Sequence, residues 1–74
     1  MNLEQKIIGI MQSVFGTEDI TAESTQETVE NWTSLRHLNL ASELEDEFDI
    51  DLDPSEICCM KSVAQIEEVI RKKL

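Results

Sequence analysis

Basic residues are scarce in this chain: six Lys and Arg stand against sixteen Asp and Glu, a formal net charge of −10. That imbalance argues against nucleic acid and an anionic membrane face as partners, since both would be repelled. It suits a partner with a basic surface, drawn in over long range and held in a salt-dependent way. The plain alternative is a charge kept for solubility.

Cysteine is confined to the adjacent pair Cys58 and Cys59. Neighbours of this kind cannot staple a fold, and no CxxC or Cys/His spacing for zinc is present. The pair reads as reduced intracellular thiols, at least one of them packed as a small apolar side chain. No apolar run approaches the ~20 residues that cross a bilayer. The opening "MNLEQKIIGI" has neither the basic flank nor the long apolar core of a signal peptide. A cytoplasmic protein is expected. Length is short as well: 74 residues imply one domain over 1–74. A chain of this size buries only about 60% of its unfolded surface, so a deep catalytic pocket is hard to build. A binding or carrier module is expected, not an enzyme.

What the chain does have is helical periodicity. Leu3, Ile7, Ile8, Ile10, Met11, Val14 and Phe15 form the apolar stripe of a first helix, with Asn2 to cap it and Gly16 to stop it. "TEDITAESTQETVEN" follows without sustained periodicity and reads as a long loop, a feature that is uncommon in small domains and often functional. Ile20, Val29 and Ala22 are available to pin it to the core. A second helix fits 34–48, with Leu35, Leu38, Ala41, Leu44 and Phe48 inward and Leu40 off that stripe. Thr33 or Ser34 can cap it. Pro54 marks the first turn of a short third helix. Ser62 and Gln65 form a capping box before a last helix that buries Val63, Ile66, Val69 and Ile70 and ends in Arg71, Lys72 and Lys73. The expected architecture is all-α: a small four-helix bundle of three longer helices and one short one, with a long loop between the first two.

Between Glu43 and Glu56, eight of fourteen residues are acidic and none is basic. Asp49, Asp51 and Asp53 copy the first ligands of an EF-hand loop. Pro54 and Met60 stand where that loop needs Gly and Glu, so no metal site is expected. The run is either a solvated helix face or a docking face for basic partners. Ser34 is either a helix cap or a hydroxyl for another enzyme to modify. A helix N-terminus favours phosphate through its free N–H groups and dipole, and Arg36 is close in sequence. His37 lies three residues on, but a serine beside a lone histidine is weak evidence for a triad, and there is no Gly-x-Ser-x-Gly elbow. Trp32 reads as an apolar anchor just before the helix and His37 as a surface residue.

Taken in order, these features resemble the acyl carrier protein family over essentially the whole chain. The matching segments are a first helix ending in "VFG", a long loop, a Ser-Leu start to helix two, "ELEDEFDIDL", and a capped last helix beginning "SVAQIEEVI". The family's Asp-Ser-Leu motif corresponds to Thr33, Ser34 and Leu35, with Thr33 in place of the aspartate.

The resemblance implies 4′-phosphopantetheine, donated from coenzyme A by a phosphopantetheinyl transferase, on Ser34. Acyl groups would ride as thioesters on its thiol, for fatty-acid, polyketide or related biosynthesis. It further implies an acyl pocket lined by Leu38, Leu44, Ile57 and Val63. Acyl-loading and acyl-processing enzymes with basic surfaces would dock on Arg36, Glu43, Glu45, Asp46 and Glu47. Thr33, together with Arg36, His37 and Asn39 on the first turn, points to a specialised member, and a monomer is expected. The competing expectation is an unmodified acidic adaptor that only docks basic proteins.

Overall fold

Four sequence-local caps set the helix boundaries in the computed structural model, which describes residues 2–74. Helix α1 (Leu3–Phe15) starts where the Asn2 carboxamide accepts from the Gln5 N–H at 2.8 Å. It ends at Gly16, whose φ of 64° is the left-handed conformation glycine adopts without penalty. Helix α2 (Ser34–Phe48) is capped by the Thr33 hydroxyl, which accepts from the Arg36 N–H at 3.3 Å. Asp49 ends it at φ 54°, a left-handed turn that a short polar side chain tolerates better than most. Helix α3 (Pro54–Cys59) has a complete capping box, Asp53 accepting from Glu56 N–H while the Glu56 carboxylate accepts from Asp53 N–H. Helix α4 (Val63–Lys73) is capped by Ser62 accepting from Gln65 N–H at 3.1 Å. The return half of the expected box is displaced by one residue: the Gln65 carboxamide accepts from Lys61 N–H.

Helix α1 packs on both α2 and α4, and α3 leans on α4. Ile7, Met11 and Phe15 meet Leu40, Ala41 and Leu44 of α2 and Val63, Ile66 and Ile70 of α4 in one buried cluster, closed by Met60. Val69 is only half-buried. The α2 face differs from the sequence expectation. Leu40 is fully buried, whereas Leu35 and Leu38 are 70% and 58% exposed. The cause is helical phase. At 3.6 residues per turn, successive steps of three residues each slip by about 60°, so Leu35 ends up about 180° from Leu44. Leu40 lies only about 40° from Leu44 and shares its face.

The loop between α1 and α2 is organised rather than slack. Thr17, Thr21 and Thr25 hydroxyls each accept from the N–H two residues on, the local turn that short hydroxyl side chains make. Ile20 and Val29 are buried, as expected; Ala22 is exposed and Ser24 is buried in its place. Backbone bonds from Gln26 N–H to Lys61 O (2.9 Å) and Val63 N–H to Ser24 O (3.1 Å) tie the loop to the start of α4. Both cysteines are exposed, contrary to the expectation of at least one buried thiol. Helix α3 is so short that only Ile57 turns inward, half-buried, and the following Met60 takes the core position.

The Lys73 ammonium reaches the Glu56 carboxylate at 2.8 Å and joins α4 to α3. That contact holds Lys73 more basic than usual, while the Glu56 N–H and the Ser55 hydroxyl hold Asp53 more acidic. Among the described residues, no helix is long and apolar enough to cross a membrane.

Candidate functional site

Ser34 is the first residue of α2, and Thr33 does the capping. The Ser34 side chain is exposed, and among the described residues no protein group is hydrogen-bonded to its hydroxyl. The N–H groups of Ser34 and Leu35, orphans of the first turn, likewise find no protein acceptor among the described residues. A nucleophilic oxygen therefore stands at the positive end of a fifteen-residue helix with free donors beside it.

Four side chains fix this turn in place. The Trp32 ring packs on Phe15 with centroids 5.1 Å apart. Its indole N–H donates to His37 Nδ1 at 2.8 Å, with the rings stacked at 5.9 Å. Indole nitrogen can only donate, so His37 Nδ1 carries no hydrogen and Nε2 must carry it. That Nε2–H donates to the Ile57 carbonyl at 2.7 Å, linking α2 to α3. On the other side, the Arg36 guanidinium donates to the Val14 carbonyl in the last turn of α1 at 2.8 Å. Asn31 covers the next carbonyl, Phe15 O, at 3.0 Å.

His37 is thus a half-buried connector and not the surface residue expected. Its signal was the spacing: Trp32 just outside the cap and His37 in the first turn occupy the positions of a hydrophobic staple. With both ring nitrogens engaged elsewhere, His37 cannot serve Ser34 as a base, and the arrangement offers no triad. Among the described residues, no cluster of His, Cys, Asp and Glu could hold a metal ion. Beside the serine lies an open cleft of about 380 Å³, lined by Gln26, Trp32, Thr33, Ser34, His37, Leu38, Ile57 and Cys58.

No family model and no curated protein matches the chain. A solved structure does: the holo acyl carrier protein from Geobacter metallireducens, with a TM-score of 0.85 and 27% identity over 99% of this chain and 86% of that one. The chain thus resembles an acyl carrier protein over nearly its whole length. A fold of this kind is that of a carrier protein and not of an enzyme.

Within this fold, the residues expected from sequence part company. Of the acyl-pocket set, Leu38 and Ile57 line the cleft beside Ser34, while Leu44 and Val63 are fully buried in the core. Of the docking set, Asp46 is exposed, and so are Glu43 and Glu47, which line a groove of about 700 Å³ between α1 and α2. Glu47 also faces Lys6 at 4.0 Å. Glu45 is engaged within the fold: its carboxylate accepts from Leu52 N–H at 2.8 Å and anchors the link to α3. Arg36 is committed to α1. Sequence alone did not reveal the exposed apolar pair Leu35 and Leu38, which flank the serine's own turn.

Proposed function

We propose that this acyl carrier protein, folded as one domain over residues 1–74, holds acyl intermediates as thioesters on a 4′-phosphopantetheine arm attached to Ser34. The observation that carries the reading is the exposed Ser34 hydroxyl at the N-terminus of α2, which has no protein partner among the described residues. The residues there fit the group. A phosphodiester on Ser34 Oγ would meet the free N–H groups of the first turn and the positive end of the helix dipole. The arm supplies a thiol for thioester exchange; the protein supplies the attachment oxygen and the field around it. On a Mg²⁺-dependent phosphopantetheinyl transferase, Ser34 Oγ would lose its proton to the transferase and attack the pantetheine-bearing phosphorus of coenzyme A; the pyrophosphate P–O bond would break and adenosine 3′,5′-bisphosphate would leave.

Partner enzymes of fatty-acid, polyketide or related biosynthesis would approach the outward face of α2. Leu35 and Leu38 offer it apolar contact, and Glu43, Asp46 and Glu47 offer charge to a basic surface. A cytoplasmic monomer suits this traffic. The test is intact-protein mass after incubation with coenzyme A, Mg²⁺ and a broad-specificity transferase. One phosphopantetheinyl group should be added, and Ser34→Ala should abolish the gain. A protein left unmodified by several transferases would overturn the reading.

One observation favours a second reading, an unmodified acidic adaptor. Thr33 caps α2 with a hydroxyl, so the serine's neighbour presents no carboxylate to a transferase. If that carboxylate matters, Thr33→Asp should accelerate modification without changing helix content.

A further inference from the structure

His37 closes the seam between α2 and α3 on the side where Ser34 stands. Its Nε2–H grips the Ile57 carbonyl at 2.7 Å while Trp32 holds Nδ1 at 2.8 Å, so the ring is fixed at both nitrogens. The same Ile57 carbonyl accepts from Met60 N–H at 3.2 Å, which anchors the accepting end of the bridge in the turn leaving α3. Leu44 lies two turns on from His37, about 20° away on the same face of α2, and Leu44, Met60 and Val63 of the core cluster are all 0% exposed. A chain entering from Ser34 would have to break the bridge and also push apart a core already packed, with the strain that overpacking brings. In front of the bridge lies the cleft, open to solvent, whose lining mixes Gln26, Thr33 and Cys58 with Trp32, Leu38 and Ile57.

We infer that this carrier keeps its cargo outside the bundle, in the cleft between Ser34 and Ile57, and that His37 is the residue that excludes it from the interior. The cargo class that suits such a place is a short acyl group bearing a hydrogen-bonding substituent, such as an amino- or hydroxyacyl group. A long alkyl chain would lie largely in water there. The inference rests on the carrier reading of Ser34, and its test avoids the transferase so that the two can fail separately.

In a Cys58→Ser, Cys59→Ser background, Ser34→Cys is alkylated with a thiol-reactive pantetheine analogue ending in an octanoyl amide or, in parallel, a β-alanyl amide. Methyl NMR then reads where each tail lies. With His37 intact, both tails should shift only Leu38, Ile57 and the Trp32 indole signals. In His37→Ala, the octanoyl tail should show cross-relaxation to the Leu44 and Val63 methyls. His37→Gln retains a donor near the Nε2 position and should restore exclusion. Octanoyl contacts to Leu44 and Val63 with His37 intact would overturn the inference, whether or not the variants fold. A folded His37→Ala that still excludes the chain would remove His37 from the role.

Discussion

The bond between Trp32 and His37 has a measurable coupling. Trp32→Phe keeps a ring against Phe15, whose centroid lies 5.1 Å away, but deletes the N–H that His37 Nδ1 accepts. The bond is part-buried, so its net worth should be about 1 kcal/mol. The smaller ring also forfeits some apolar burial. Trp32 is half-buried, which limits that loss to about 0.5 kcal/mol at 25 cal/mol per Å². The total of about 1.5 kcal/mol is large beside a stability of roughly 4–11 kcal/mol for a chain this size. It should lower the midpoint of thermal unfolding by about 6–12 °C. Circular dichroism melts and urea titrations of Trp32→Phe, His37→Ala and the double variant give the coupling free energy. It should come to about 1 kcal/mol, with the double variant less destabilised than the sum of the singles. A coupling indistinguishable from zero would refute the reasoning, because it would mean that water replaces the indole donor without loss.

Three further outcomes follow from the same geometry. Gly9 sits exposed in the middle of α1 with nothing within 4 Å of an added Cβ. Gly9→Ala should therefore stabilise by about 1 kcal/mol, and a lowered melting midpoint would contradict it. Glu45→Ala strips Leu52 N–H of its acceptor and should cost about 1–3 kcal/mol in urea unfolding, while Glu45→Gln, which keeps an acceptor, should cost less. Equal effects would assign Glu45's contribution to charge instead. For pH, Asp53 lies below its ordinary 3.8 and Lys73 above its ordinary 10.5. The Asp53 contribution is full above 3.8 and fades as pH falls through the lowered value. That of Lys73 is full below 10.5 and fades as pH rises through the raised value. Melting midpoints of Asp53→Asn and Lys73→Gln should thus converge on the parent at the acid and alkaline ends respectively, and parallel curves would sink the assignment.

The helix boundaries were legible because each rests on a contact between residues close in sequence: Asn2 with Gln5, Thr33 with Arg36, Asp53 with Glu56, Ser62 with Gln65. The resemblance to acyl carrier proteins was legible for a related reason, since the matching segments follow one another in order along the chain. The inward face of α2 was misread because three-residue steps look periodic yet precess around the helix, which turned Leu35 and Leu38 to solvent and hid Leu40. The cysteines were misread through composition. Cysteine is commonly buried, but α3 is too short to turn either thiol inward. Glu45, Arg36 and His37 looked like surface chemistry because their acceptors or donors are backbone groups of distant segments: Leu52, Val14 and Ile57. A sequence names no such partner, for every residue carries the same backbone groups.

The turn bearing Ser34 is moored at two points, to the end of α1 through Arg36 and to α3 through His37. Its placement in space is therefore a shared property of three helices. Substitutions in the last turn of α1, or around Ile57, that never touch the serine would still change the angle at which it meets an incoming enzyme. Selection on how well the hydroxyl is presented should accordingly leave its mark at Arg36, His37 and the Trp32–Phe15 pair as well as beside Ser34. A reshaped partner could be followed by retuning either mooring while the serine itself stays as it is.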